Sequence, residues 1–151
     1  MRILGTLLVF CTALMLPECL LAQTSTAKPD AIRIDIGGLR NNNGQVVCDL
    51  YSSSDGFPKD SRGAIEHAVS SISDRRATCE FRGIKPGSYA VSVFHDENSN
   101  GKLDSNFLGI PREGVGASNG ARGHLGPPKF DAAVFHFSGG RLDLKITIIY
   151  L

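Results

Sequence analysis

The sequence predicts an all-β protein folded as a single β-sandwich, and three observations carry that expectation. Apolar and charged residues alternate through short runs, most plainly Ile32-Arg33-Ile34-Asp35-Ile36 and Leu142-Asp143-Leu144-Lys145-Ile146. Clusters of Gly, Asn and Pro punctuate these runs. The chain has 151 residues, which suits one domain with a modest core once an N-terminal segment is set aside.

That segment has the order of a secretory signal. Arg2 precedes an apolar stretch from Ile3 to Leu16, Pro17-Glu18 ends it, and small residues follow up to Ala22. A signal peptide over 1–22 is expected, with a second cleavage option after Ala27, leaving residues 28–151 as the sandwich domain. The apolar stretch is shorter than the roughly 20 residues of a spanning helix. Cys19 is a poor lipidation site, because Pro17-Glu18 stand where small residues are needed. The expected location is periplasmic or secreted, and no later segment is apolar enough to make an integral membrane protein. The formal net charge is +1 and no Lys/Arg cluster stands out, so a nucleic-acid partner has no basic face to bind.

The elements follow in order. Ile32 to Ile36 is a strand ended by Gly37-Gly38, and Asn41 to Gly44 turns the chain into a second strand with Val46, Cys48 and Leu50 on one face. After a turn over Ser52–Pro58, the pattern changes: Ile65, Ala68, Val69 and Ile72 recur at helical spacing, so one short helix is expected between Asp60 and Ser71, capped by Asp60 or Ser61. Arg76–Arg82 resumes the strand pattern, with Ala77, Cys79 and Phe81 on one face. Ile84–Gly87 is a tight turn, and Ser88–His95 carries Tyr89, Val91 and Val93 inward. Two strands close the chain, Phe130–Phe137 and Arg141–Tyr150, joined by a hairpin at Ser138-Gly139-Gly140. An outer-membrane barrel is disfavoured by the small number of strands and by their charged alternate positions.

Cys11 and Cys19 leave with the signal, and Cys48 and Cys79 remain. An even pair in an exported chain reads as a disulfide, and both cysteines fall on the apolar face of their strands. Two buried free thiols are the alternative.

Between Asp96 and Pro128 periodicity stops in favour of a long, ordered loop, which is uncommon in a compact domain unless the loop is functional. Oxygen donors occupy the first, third, fifth and ninth positions of a calcium loop, as Asp96, Asn98, Asn100 and Asp104. Gly101 stands at the sixth position, where the chain must turn, and Lys102 offers its carbonyl at the seventh. The twelfth position is Phe107 instead of glutamate; Glu113 is the best residue to fold back as a replacement, and Glu97 a poorer one. Calcium is therefore the candidate cofactor, at the weak affinities of about 0.1–1 mM typical of extracellular modules. The metal-free alternative is a network of Asx hydrogen bonds. In either case His95, Gly101, Ser118 and Asn119 are expected to organise the loop.

The run from Phe94 to Asn119, FHDENSNGKLDSNFLGIPREGVGASN, resembles the signature of domain-of-unknown-function family 2141. Phe81–Ala90 and Pro127–Ala133 resemble it as well. Ala117 departs from the pattern, which more often has an aromatic residue there. The resemblance implies export and an immunoglobulin-like or transthyretin-like β-sandwich, and it implies no particular reaction.

The functional expectation is a binding or structural module that offers its loop to a protein, a saccharide or another small ligand. The rival is a hydrolase with His95 as base, Asp96 or Glu113 orienting it and Ser118 as nucleophile. The sequence has no Gly-x-Ser-x-Gly elbow and no paired histidines of a zinc motif. His67, His124 and His136 read as surface or strand residues, and Gly109-Ile110-Pro111 and Gly114–Gly116 as turn-formers.

Overall fold

Alternating residues do pair as two sheets. The computed structural model describes residues 30–124 and 126–151, and the expected signal peptide lies outside the described residues. The strands are β1 (Ala31–Gly37), β2 (Gln45–Tyr51), β3 (Glu66–Ser71), β4 (Ala77–Arg82), β5 (Gly87–Asp96), β6 (Gly114–Ala117), β7 (Phe135–Phe137) and β8 (Arg141–Thr147). The smaller sheet has the order β4-β1-β8, with β1 and β8 parallel. The larger has the order β3-β2-β5-β6, all antiparallel. Long β5 also pairs β7 through Gly87–Tyr89, so two short strands share one of its edges end to end. None of the helices among the described residues is long and apolar enough to cross a membrane.

The inner faces supply the main core: Ile32, Ile34 and Ile36 from β1 meet Val46 and Leu50 from β2 and Val91 and Val93 from β5. Cys48 and Cys79 are bonded and link β2 of the larger sheet to β4 of the smaller. Their sequence separation of 31 makes the link worth about 3–4 kcal/mol on the chain-entropy account. A second, smaller cluster lies on the outer face of the larger sheet, where Ala90, Ala117 and Ala133 pack with Phe57 and Phe130.

Four sequence expectations are corrected. The segment read as a helix forms a single 3-10 turn at Ser61–Gly63 and then strand β3. The β2 backbone offers a free row of hydrogen-bonding groups, and pairing with it outweighs a helical stripe whose Ile65 and Val69 remain about half exposed (46% and 52%). The short helix instead falls at α1 (Phe130–Ala133), in a segment read as strand. Ser118 and Asn119 satisfy the carbonyls of Ala133 and Val134 at its end. Ser138–Gly140 is no hairpin, because it carries the chain from β7 in one sheet to β8 in the other. Finally, Gly114–Gly116 lie in strand β6 rather than in a turn. A Cβ on Gly114 would stand 2.4 Å from the Ile148 side chain, and one on Gly116 would stand 2.7 Å from Ile146. Only glycine lets β6 approach the end of β8 this closely.

Candidate functional site

The long loop begins where β5 ends, and buried polar groups hold its base. His95 is fully buried. Its Nε2 lies 2.8 Å from the Asn43 carbonyl and its Nδ1 2.7 Å from the Tyr150 hydroxyl. A carbonyl only accepts, so in the neutral imidazole Nε2 carries the proton and Nδ1 accepts from Tyr150, whose oxygen in turn accepts from the Arg40 N–H at 3.0 Å. Both nitrogens are thus engaged in hydrogen bonds at the loop base. The Ser118 hydroxyl is likewise occupied: it accepts from Val91 N at 2.9 Å and donates to the Ala133 carbonyl at 2.6 Å.

Asp96, next along β5, is also fully buried. One carboxylate oxygen accepts from Asn100 N at 3.0 Å, and the other from Gly101 N and Gln45 Nε2, both at 2.8 Å. Gly101 has φ +73, which an L side chain rarely adopts and which lets its N–H turn back to Asp96. Glu113, 5% exposed, closes the far end of the loop. Its two oxygens accept from Glu97 N at 2.9 Å and Asp104 N at 3.0 Å. Asn98 Oδ1 accepts from Asn100 N, and Asn100 Oδ1 from Lys102 N, in successive Asx turns. The Asp104 carboxylate receives the side-chain amides of Asn98 and Asn100. Asp96, Asn98, Asn100, Asp104 and Glu113 are therefore in one network as acceptors of N–H donors, and Lys102 joins it through its own N–H. Among the described residues no three His, Cys, Asp or Glu side chains form a group able to hold a metal.

Around this base, Arg40 forms a two-point ion pair with Glu97 and stacks 4.5 Å above the Tyr150 ring. The Arg40 guanidinium holds the Glu97 carboxyl below its ordinary range, while burial pushes the Tyr150 hydroxyl up.

Farther out the loop tightens into a turn. Asn106 Oδ1 accepts from Leu108 N and Ile110 N, at 2.9 and 3.0 Å. Asn106 N donates to the Ile110 carbonyl, and Gly109 N to that of Asn106, both at 2.9 Å. The turn projects Phe107, 94% exposed, and Leu108, 69% exposed.

Sequence reading missed a second polar cluster, on the outer face of the larger sheet. Asp49 of β2 and His67 of β3 are register partners. The Asp49 carboxylate, 2% exposed, meets His67 Nδ1 on one oxygen and accepts from Ser61 Oγ at 2.7 Å on the other. Beside it the buried Tyr51 hydroxyl lies close to Ser92 and Asp49, but neither meets it in good hydrogen-bond geometry. Burial pushes the Tyr51 pKa up to about 12, Ser92 working against the shift and the Asp49 charge adding to it. A lone Asp between Val47 and Tyr51 on a strand was the available signal, but its partner lay in the segment read as helix. A nearby open cleft of ≈ 390 Å³ is lined by residues including Phe57, Pro127, Pro128 and Phe130, with Asp49 and His67 outside it.

These features define a two-sheet β-sandwich protein that projects a long hydrogen-bonded loop from the end of its longest strand. The chain belongs to the family DUF2141, described as an uncharacterized protein conserved in bacteria, whose model matches residues 34–145. No curated protein and no solved structure matches the chain.

Proposed function

We propose that this protein is an exported β-sandwich that acts as a binding or structural module, with the loop from Asp96 to Asn119 as its presenting element. One observation carries the reading: two buried carboxylates, Asp96 and Glu113, accept the backbone N–H groups of Asn100, Gly101, Glu97 and Asp104. Carboxylates used in this way fix a chain path, so the loop reaches a partner already shaped. The sequence order Arg2, Ile3–Leu16, Ala22 supports export. The mass of the chain recovered from the periplasm or medium of a bacterial host tests that part. A start at Gln23 or Lys28 is expected, and a chain retaining Met1 overturns it.

Calcium is the second reading, favoured by the donor order Asp96, Asn98, Asn100, Asp104 and by Glu113, which folds back onto the loop. Thermal melting with millimolar calcium and with chelator separates the two. Equal Tm values leave the hydrogen bonds as the whole brace. A calcium-dependent rise that Asp104→Ala removes makes the loop a calcium site. In both cases Asp96→Ala lowers Tm; an unchanged Tm overturns the brace itself.

A further inference from the structure

Among the described residues the most exposed large apolar side chains besides the C-terminal Leu151 are Phe107 and Leu108, and Ile110 beside them is 42% exposed. A scattered surface leucine needs no explanation, but three large apolar residues on one pinned turn do. The turn's backbone is already provided for, since the N–H groups of Leu108, Gly109 and Ile110 all have acceptors within it. Such a tip can enter a medium without water and leave few backbone donors unsatisfied, which an ordinary loop cannot.

The exposed charged side chains of the loop are both cations, Lys102 and Arg112. Glu97 is paired with Arg40, Asp96 and Glu113 are buried under N–H donors, and half-buried Asp104 takes two side-chain amides. Lys102 and Arg112 are exposed and have no ion-pair partner among the described residues. They stand on the two arms below the turn: Arg112 N donates to the Asp104 carbonyl, one step beneath the Ser105–Pro111 bridge. An apolar tip above two unpaired cations matches a bilayer interface, with acyl chains below anionic headgroups.

We infer that the Phe107-Leu108-Ile110 turn docks the protein peripherally on an anionic lipid surface, with Lys102 and Arg112 at the level of the headgroups. This rests on the loop being the presenting element and names what it is presented to.

The chain has no tryptophan, so Phe107→Trp places a single reporter at the tip. The full chain carrying it is mixed with vesicles of equal phosphatidylglycerol and phosphatidylcholine, some with brominated acyl chains. A blue shift of emission and quenching by the brominated lipid are expected, while Ile65→Trp on β3's side of the molecule shows neither. Replacing Lys102 and Arg112 together by Gln should weaken the response about 25-fold, at roughly fivefold per cation near the surface. Phosphatidylcholine alone should give little response. The inference is overturned if Phe107→Trp stays unshifted on anionic vesicles, if the double Gln variant responds equally, or if Phe107→Ser abolishes self-association in solution, which would make the tip a contact between copies. Melting separates this failure from failure of the brace: Phe107→Ser with Leu108→Ser leaves Tm unchanged, whereas Asp96→Ala lowers it.

Discussion

Asp49 and Asp96 are both buried carboxylates on the larger sheet, yet they are satisfied in different ways. Asp96 is met by two backbone N–H groups and one amide, all within its own end of the sheet. Asp49 is met by two side chains, Ser61 and the half-exposed His67. A carboxylate facing backbone donors dictates where the chain runs, because those donors move only if the chain moves. One facing side chains can lose a partner to water while the strands stay paired. The first kind builds a loop; the second decorates a surface.

The largest expected effect follows directly. Asp96→Ala should cost about 2–4 kcal/mol, since it strands three donors at the loop base. Asp49→Ala should cost about 1–2 kcal/mol, because water can reach its partners once the carboxylate is gone. Urea unfolding of both variants measures the gap, and equal losses would erase the distinction between the two carboxylates.

A smaller effect sharpens it at acid pH. Arg40 holds Glu97 below its ordinary value of 4.5, so the pair's contribution is complete above that value and is lost as pH falls through the lower, folded value. Arg40→Gln should therefore flatten the acid limb of stability below about pH 4.5 in urea midpoints taken over a pH series. An unaltered limb would show that Glu97 gains nothing from the pair.

The smallest effect concerns Tyr51. With no well-formed hydrogen bond to its buried hydroxyl, Tyr51→Phe should leave neutral-pH stability unchanged or raise it slightly. Its pKa is raised in the fold, so its contribution is complete below about 10 and is lost as pH rises through about 12. Tyr51→Phe should remove that alkaline component, and ultraviolet titration should show one fewer late-ionising tyrosine.

What the sequence disclosed is what local alternation can disclose. β1, β2, β4, β5 and β8 carry their inward residues at every second position, and the bonded Cys48 and Cys79 share that parity. Features that depend on a distant neighbour stayed hidden. Val69 has no buried face of its own, so only the offer of β2 makes its segment a strand. β6 reads as turn chemistry because its glycines answer to Ile146, Ile148 and Tyr150, some thirty positions away. The loop's donors were legible as residue types in order. That their carboxylates accept mainly backbone N–H groups was not, because that depends on where Glu113 and Gln45 arrive.

The glycines of β6 have a further effect. By letting Val115 bridge Ile149, they tie the last strand of the larger sheet to the end of the smaller one. On the opposite side a two-residue turn at Asp74-Arg75, clasped by mutual hydrogen bonds of Ser73 and Arg76, leads directly from β3 to β4. The two sheets are joined at both flanks. A sandwich sewn at its sides offers fewer open strand margins to a stray chain, and so guards against the edge-to-edge aggregation to which flat sheets are prone.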